Sequence, residues 1–594
     1  YVPSLQTAKT ALEQGLIGRL QSVEVSHGAK FAWPADSGYY FRRENGGILL
    51  NMGVHHLDFL ESVLGPLTPV AFEDDGAGGV EANCVALLQS GAGVEVRLSL
   101  SFTHRLQNEY VWRGERGELR HSVDEFGTCR WAPTDGRLAG ELQLVHPYQS
   151  GDWKASFSSG FVEQFDAFAR AVRERTAVPV PPEVAVQTAG LIEACHGRRV
   201  ESPSWMPDAS SGGPGLSSGA VLVTGASGFV GNRLAERLQR LGVGPVVTPV
   251  RSRQTVAGLA RLDVDIQQAD ITDLATMRSL LKGRRHVFHL AYGASGADAA
   301  RFTIDSTRVI VDAAIAEGCE TLVVVSTGSV FGTPAGRVTE DSPYLPSLGD
   351  YGSSKAEAER YALAAAARSG STRIVVINPS AVYGPTGPTF TEVPVRLASQ
   401  GQFFWVEEGR GHANYVYVEN LVDALLLAAA TSAAHGRRYL ISDGVTTWRK
   451  FLEPMMGSHA AGVPSYSLTE LARGSQQHSP DLGEILKLAT VRNPAFMAAV
   501  SKHPWLGRLK QQVVALLPGW QQRVQAERAP DWRSDFLKPN AAGTVRNLWL
   551  ADLFGPIQTE YVADRARREL GWSPRFPLAE GQRISRAWLN YLGL

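Results

Sequence analysis

The sequence predicts an α/β protein in two parts. The second half is expected to form a doubly wound parallel sheet with a small substrate domain, and the first half an α+β module with a largely antiparallel, open sheet. Three observations predict this: strand-like apolar runs alternate with helix-like stretches after residue 219, a first-half segment alternates with a period of two, and a Gly/Ser-rich stretch lies between them. We therefore expect domains at residues 1–207 and 219–594, joined by a linker at 208–218.

Composition and charge exclude several classes of protein. The 594 residues carry 58 Lys and Arg against 59 Asp and Glu, and this balance argues against nucleic acid as the main partner. The 4 cysteines lie far apart without metal-ligand spacing, so we expect no metal site and a reducing, cytoplasmic location. Apolar runs stay short of the roughly 18 residues that a membrane-spanning helix needs.

The first half is expected to combine a sheet with two closing helices. Residues 94–102 alternate apolar and polar side chains, which predicts an antiparallel strand with one face solvated or covered by a partner. Helical stretches follow at residues 161–175 and 182–195. The chain opens in what reads as mid-domain sequence, so we expect a fragment whose N-terminal part lies upstream.

The second half is expected to repeat strand and helix. Short apolar runs predict strands at residues 220–223, 246–247, 286–291, 322–325 and 373–377, with helix-like sequence between them. We expect the sheet core at residues 219–385 and a substrate-binding part at residues 386–594.

A glycine-rich turn follows the first of these strands. Gly225, Gly228 and Gly231 would let the backbone approach a dinucleotide pyrophosphate at a helix N-terminus, although such a triplet also occurs in plain turns. Arg251 and Arg253 stand near the end of the second strand, where an arginine suits a 2′-phosphate. We therefore expect NADP or NAD as cofactor with NADP slightly favoured; solvated surface charge is the alternative for the arginines.

A tyrosine and a lysine stand four residues apart on a predicted helix. Tyr351 and Lys355 would share one helical face, and the cation would favour the phenolate. Thr327, just beyond a predicted strand, could share the substrate hydroxyl. The pattern alone is common on surface helices, but together with the glycine-rich turn it predicts a catalytic site.

These motifs resemble the extended short-chain dehydrogenases/reductases of the NAD-dependent epimerase/dehydratase family, a Rossmann-type fold. The matching segments are TGASGFVG (224–231), ADI (269–271), FHLAY (288–292), STGSVFG (326–332), YGSSK (351–355), NPSAVYGP (378–385) and RRELGWSP (567–574). The resemblance implies that Tyr351 is the acid/base, that Lys355 holds the ribose and lowers the Tyr351 pKa, and that Thr327 orients the substrate. The expected cofactor contacts are Gly225, Gly228, Phe229, Val230, Gly231, Arg251, Asp270, Ile271, Ala291 and Lys355.

Departures from the family pattern narrow the expected reaction. Gly328 and Ser329 stand where 4,6-dehydratases carry Asp-Glu, so we expect an epimerase or oxidoreductase and no dehydration. Asn378 and Ala381 replace an Arg and an Asn of the family, which keeps two substrate classes open. One is a sugar or nucleotide-sugar hydroxyl in carbohydrate or glycan precursor metabolism; the other is a non-sugar secondary alcohol, as in the hydroxysteroid and dihydroflavonol branches.

The first half carries a second signature, GGILLNMGVHHLD at residues 46–58. It resembles the Gfo/Idh/MocA oxidoreductases, of which residues 1–200 would be the C-terminal part, with the dinucleotide domain missing from the chain. That family would use an acid at position 51 and His55 for proton transfer, whereas Asn51 cannot take a proton. Asn51 and His55 are therefore candidate substrate contacts; the alternative is a non-catalytic assembly module, consistent with an expected homo-oligomer.

One basic stretch fits neither signature. Residues 502–530 carry five Lys or Arg and one Glu, and Trp505, Leu509 and Val513 recur there at helical spacing. Peripheral contact with an anionic membrane is one interpretation, and a lid or core helix is the favoured one. Residues 456–550 as a whole are expected to determine substrate specificity.

Overall fold

The computed structural model describes residues 2–31, 39–42, 46–124, 128–136, 139–142, 153–200, 203–206, 214–293, 296–346, 349–471 and 549–594. The predicted basic stretch at 502–530 and residues 208–213 of the predicted linker lie outside these ranges. Leu216, near the end of that linker, is buried in the core of the second half.

The first half is an α+β module around one sheet. Its strands are β1 (Leu20–Gly28), β2 (Leu67–Asp74), β3 (Asn83–Ser90), β4 (Glu95–Ser101), β5 (Glu109–Gly114), β6 (Gly117–Ser122), β7 (Cys129–Pro133) and β8 (Gly140–Leu142). They lie in the order β2-β3-β4-β1-β5-β6-β7-β8; β1 and β4 pair in parallel and the other neighbours are antiparallel. Its helices are α1 (Pro3–Glu13), α2 (Val54–Leu64), α3 (Trp153–Glu174) and α4 (Pro182–His196).

The predicted alternating strand is β4. Val96, Leu98 and Leu100 are buried in the first-half core, as the period of two predicts. Ser101, on the polar face, is also buried, because Tyr591 from the last helix of the chain donates a hydrogen bond to the Leu100 carbonyl at 2.6 Å. The second half of the chain therefore covers one end of this strand.

The second half is a doubly wound parallel sheet, as predicted. Its strands are β9 (Val221–Thr224), β10 (Val246–Val250), β11 (Asp265–Gln268), β12 (His286–His289), β13 (Thr321–Val325), β15 (Arg373–Pro379) and β19 (Arg438–Ile441). They pair in parallel in the order β11-β10-β9-β12-β13-β15-β19. The helices up to residue 366 are α5 (Phe229–Arg240), α6 (Ala257–Ala260), α7 (Leu274–Leu281), α8 (Gly296–Ala316) and α9 (Asp350–Ala366).

Three small sheets and a group of helices complete the second half. The remaining strands are β14 (Gly336–Val338), β16 (Ala381–Tyr383), β17 (Trp405–Val406), β18 (His412–Tyr417), β20 (Gly444–Thr447), β21 (Ser465–Tyr466) and β22 (Thr559–Tyr561). The remaining helices are α10 (Val393–Ser399), α11 (Val418–Ala430), α12 (Trp448–Met456), α13 (Trp549–Phe554), α14 (Asp564–Leu570) and α15 (Leu578–Tyr591). Aromatic side chains such as Trp405, Phe451 and Trp588 fill the core beneath this part.

Across the described residues, none of the helices combines the length and the apolarity that crossing a membrane requires.

A buried carboxyl group next to β19 gives a pH-dependent prediction. Asp443 Oδ2 accepts hydrogen bonds from the Tyr417 backbone N–H and from Asn420 Nδ2, both at 2.8 Å. Its other oxygen, Oδ1, is buried with no hydrogen-bond partner among the described residues. Burial raises the pKa of Asp443 from 3.8 to about 7. The folded protein therefore binds this proton more tightly than the unfolded chain does.

We expect Asp443→Asn to keep both accepted hydrogen bonds and to remove the buried charge. The raised pKa means that the wild type loses stability as the pH rises from about 4 to about 7. The free energy of unfolding of the variant should thus exceed that of the wild type by roughly 4 kcal/mol at pH 8, and the difference should disappear below about pH 4. Urea unfolding across this range measures the difference; a difference independent of pH would contradict the prediction.

Candidate functional site

The glycine-rich turn connects β9 to α5 at the carboxyl edge of the parallel sheet. Gly225 has φ +72°, and a Cβ atom there would lie 2.8 Å from the Ala291 backbone nitrogen. At Gly231 a Cβ atom would lie 2.3 Å from the Gly225 carbonyl oxygen. Gly228 precedes α5 and supplies no side-chain cap to its first N–H groups. The turn therefore fits a dinucleotide pyrophosphate, which such N–H groups bind.

Some of the other expected cofactor residues pack near this turn, and others are exposed just after strands. Ala291 lies against Gly225, and the Phe229 ring packs against Gly387. Arg251 is exposed directly after β10. Asp270 is exposed after β11, and its carboxylate accepts hydrogen bonds from both the backbone N–H and the hydroxyl of Thr272.

Two expected contacts have side chains that turn away from the surface. Ile271 is buried in a core cluster below the sheet. Val230, in the first turn of α5, packs against the cores of the sheet and of the aromatic part.

Tyr351, Lys355 and Thr327 come together beside the end of β13. Tyr351 lies in the first turn of α9, and Lys355 follows one turn later, buried, with Nζ donating to the Val325 carbonyl at 3.0 Å. Thr327 makes a side-chain hydrogen bond to Tyr351 that lowers the tyrosine pKa. The Lys355 ammonium lies 5.1 Å from the centre of the Tyr292 ring. Phenol, hydroxyl and ammonium thus share one small site.

Burial dominates the acidity of this site. It raises the pKa of Tyr351 to about 12, helped by Tyr292, and the hydrogen bond from Thr327 offsets only part of this rise. It lowers the pKa of Lys355 to about 8 against the opposing charge of Glu359. The sequence led us to expect that Lys355 would lower the Tyr351 pKa; here the loss of hydration dominates and raises it. Tyr351 is therefore protonated at neutral pH.

Glu359 is a site residue that the sequence reasoning missed. It is fully buried one turn beyond Lys355, and its Oε2 accepts hydrogen bonds from Ser326 Oγ at 2.6 Å and Asn378 Nδ2 at 2.7 Å. Oε1 accepts from Arg438 Nη1 at 3.2 Å and from the Tyr344 hydroxyl at 3.0 Å. The signal was present in the sequence, because positions 351, 355 and 359 continue the same helical face.

Glu359 also fixes the residues next to it in the site. Asn378 donates a second hydrogen bond to the Thr327 carbonyl at 3.2 Å. Ser326 precedes Thr327 in the chain. The buried carboxylate therefore positions the threonine backbone from two sides.

Packing against Tyr561 accounts for the glycine at position 328. A Cβ atom at this position would lie 2.7 Å from a ring carbon of Tyr561. The Tyr561 hydroxyl donates to the carbonyls of Gly328 and Gly332, both at 3.0 Å. A side chain at position 328 would therefore require the Tyr561 ring to shift.

The first-half candidates Asn51 and His55 lie on elements of the first half. Asn51 lies in a π-helical turn (Leu49–Gly53), and His55 is exposed on α2. The neighbouring His56 is the buried histidine; it contacts His27 Nδ1 at 2.9 Å and the Tyr110 hydroxyl at 2.5 Å. Burial lowers the pKa of His27 to about 4 and that of His56 as well, so both are neutral at pH 7.

A substitution at Glu359 tests its role in the site. We expect Glu359→Gln to lower the free energy of unfolding by about 3 kcal/mol, because Arg438 is left without its buried anionic partner. The additional change Arg438→Met should recover part of that loss. Glu357→Gln on the same helix is the matched control, since Glu357 is about half exposed in its pair with Arg308 and should contribute less than about 1 kcal/mol. Equal losses for the two glutamate variants, measured by urea unfolding, would contradict the assignment.

Two family models match separate parts of the chain. Residues 221–442 match the NAD dependent epimerase/dehydratase family. Residues 5–120 match the GFO/IDH/MocA C-terminal domain. Each match falls in one of the two halves described above. The GFO/IDH/MocA match ends within β6.

Part of this chain is similar to known proteins. An uncharacterized protein, y4nL, from Sinorhizobium fredii is 30% identical over 246 residues, which cover 38% of this chain and 68% of the relative. The 2-alkyl-3-oxoalkanoate reductase of Shewanella oneidensis is 28% identical over 254 residues, covering 40% of this chain and 65% of the reductase. The chain thus spans about two thirds of the length of these relatives.

Among solved structures, the UDP-glucose 4-epimerase of Thermotoga maritima, determined with UDP-glucose, is similar at 20% identity and a TM-score of 0.42. The match covers 62% of this chain and 98% of the epimerase. The two family matches and the relative that is 30% identical show that the chain belongs to the NAD dependent epimerase/dehydratase family through residues 221–442, with a GFO/IDH/MocA C-terminal domain at residues 5–120.

Proposed function

We propose that the chain is an NAD(P)-dependent epimerase or oxidoreductase that acts on a sugar or nucleotide-sugar hydroxyl. The observation that carries this proposal is the convergence of Tyr351, Thr327 and Lys355 beside the glycine-rich turn. Family membership supports the cofactor class, and the residue roles are inferred from the geometry.

In this proposal the glycine-rich turn and Lys355 hold the dinucleotide, whose nicotinamide supplies or accepts the hydride. Thr327 Oγ1 and the Tyr351 hydroxyl bind the substrate oxygen. Tyr351 donates its proton to a ketone oxygen in the reducing direction and takes a hydroxyl proton in the oxidising direction. The neighbouring Lys355 stabilises the phenolate while it exists. Glu359 positions Thr327 from behind.

Transfer without loss of water follows from the surroundings of Thr327. Dehydration needs a further acid and base beside the substrate. Position 328 is glycine and has no side chain to supply either group, and a side chain there would displace the Tyr561 ring. Oxidation followed by return of the hydride, or a single net transfer, is therefore the chemistry that we propose.

A non-sugar secondary alcohol is the second candidate substrate. A specific observation favours it: one of the relatives is a 2-alkyl-3-oxoalkanoate reductase, and its identity to this chain is 28%. Incubation with nucleotide sugars and with alkyl ketones separates the candidates, because an isomer of unchanged mass indicates epimerisation and a gain of two hydrogens indicates reduction.

Removal of the Tyr351 hydroxyl tests the catalytic assignment. We expect Tyr351→Phe to lower kcat by at least about 100-fold, because the proton donor is lost. Tyr361→Phe, on the same helix with its hydroxyl bound to Asp312, is the control and should keep full activity. Turnover is followed by nicotinamide absorbance and product mass on whichever substrate the wild type accepts; full activity in Tyr351→Phe would refute the mechanism.

The choice between NADP and NAD depends on Arg251 in this proposal. An exposed guanidinium at the end of β10 suits the 2′-phosphate of NADP. We expect Arg251→Ala to weaken NADP binding about 10-fold or more and to leave NAD binding within about 2-fold. Titration calorimetry with both cofactors measures this, and equal losses for NADP and NAD would argue against a phosphate contact.

A further inference from the structure

The first half contacts the second half next to the expected cofactor site. We define the support loop as residues 75–81, between β2 and β3, and the cofactor-side segment as residues 251–263, between β10 and β11. The backbone N–H groups of Ala77 and Gly79 donate to the Arg261 carbonyl at 2.6 and 3.0 Å. The Val80 N–H donates to the Ala260 carbonyl at 3.1 Å. The two segments therefore interact through their main chains, like the edges of a sheet.

Gly79 permits this close approach. A Cβ atom at Gly79 would lie 2.0 Å from the Ala260 carbonyl oxygen and 2.8 Å from the Leu262 carbonyl oxygen. These neighbours are backbone atoms, so they could move only by displacing the cofactor-side segment itself. The contact tolerates no side chain at position 79.

Arg261 extends the contact to the glycine-rich turn. It is buried, and its Nη1 donates to the Asp75 carbonyl of the support loop at 3.3 Å. Its Nη2 donates to Asn232 Oδ1 at 2.6 Å. Asn232 directly follows Gly231 and in turn donates to the Gly258 carbonyl at 2.8 Å. The support loop, the cofactor-side segment and the start of α5 thus form one continuous hydrogen-bonded unit.

The support loop takes its shape from the first half. The Asp75 carboxylate accepts hydrogen bonds from the Ala82 and Asn83 backbone N–H groups at 2.8 and 2.9 Å and from Asn83 Nδ2 at 2.7 Å. Asn83 Oδ1 accepts from Ser101 Oγ of β4 at 2.6 Å. The conformation of the loop is therefore set by strands of the first half.

A second contact fixes the first half at the far end of the interface. His104 Nε2 lies 3.0 Å from Glu392 Oε1, and Trp588 Nε1 donates to the same oxygen at 3.0 Å. The rings of Trp205 and Tyr591 stack with their centres 4.4 Å apart. The first half is thus attached at two separate places, and the support loop keeps a fixed position against the cofactor-side segment.

We propose that the GFO/IDH/MocA C-terminal domain of this chain serves as a positioning module, whose support loop fixes the cofactor-side segment in the shape that binds the adenosine end of the dinucleotide. This inference rests on the proposed cofactor site. It gives the first half a role that needs no proton transfer by Asn51 or His55.

Gly79→Ala in the full chain tests the proposal, with titration calorimetry of NAD and NADP as the main measurement. The added methyl group displaces residues 260–262, so we expect Kd for the cofactor that binds wild type to rise at least 10-fold. Hydrogen exchange of peptides covering residues 251–263 should become faster. Gly91→Ala, in the β3–β4 turn, is the matched control, because a Cβ atom there has no neighbour within 4 Å. It should leave both measurements unchanged.

A milder variant keeps the test decisive if Gly79→Ala does not fold. Gln239 Nε2 donates to the Ala77 carbonyl at 2.7 Å, and its Oε1 accepts from the Asp263 N–H at 3.0 Å. Gln239→Ala removes both contacts, and we expect Kd to rise 2- to 5-fold. An unchanged Kd in the folded Gly79→Ala variant, or in Gln239→Ala where the former does not fold, overturns the proposal. A wild-type chain that binds neither cofactor would instead refute the proposed function, and this inference with it.

Discussion

A network of buried ion pairs on α5 is the constraint on which the rest of the second half depends. Arg233 and Arg237 of α5 bind both carboxylate oxygens of Glu419 on α11 at 2.7 and 2.5 Å, and all three side chains are buried. Arg261 binds Glu236 from the other side. A buried charge that loses its partner costs about 3–5 kcal/mol, so the network admits few alternative arrangements. It fixes the helix that begins at the glycine-rich turn and, through Arg261, the contact with the first half.

Much of the fold could be predicted from local patterns. The strand runs of the second half, the alternation in β4 and the glycine-rich turn all depend on neighbours within a few residues, where periodicity is informative. Helix α3 begins at Trp153 rather than at residue 161 and continues through Ser158-Ser159-Gly160, a run that local rules interpret as a break. The interface between the halves could not be predicted, since Gly79 gives no local sign that a backbone carbonyl lies next to it.

The candidate site, like the fold, was only partly predictable from the sequence. Tyr351, Lys355 and Thr327 carry recognisable spacing, and the structure brings them together. The pKa of Tyr351 was not predictable from spacing, because burial depends on everything packed around the ring. The position of Glu359 on the helix face could be predicted from the sequence. Its pairing with Arg438 could not, because Arg438 lies on a strand far along the chain.

The support loop and the cofactor-side segment are far apart in the chain. The ribosome therefore makes them at different times. Asp75 precedes Arg261 by 186 residues. At typical translation rates of about 5–20 residues per second, the first half leaves the ribosome roughly ten to forty seconds before the segment that it contacts. The support loop is therefore already synthesised when the ribosome makes the segment that it contacts, so this interaction can form only late in the synthesis of the chain.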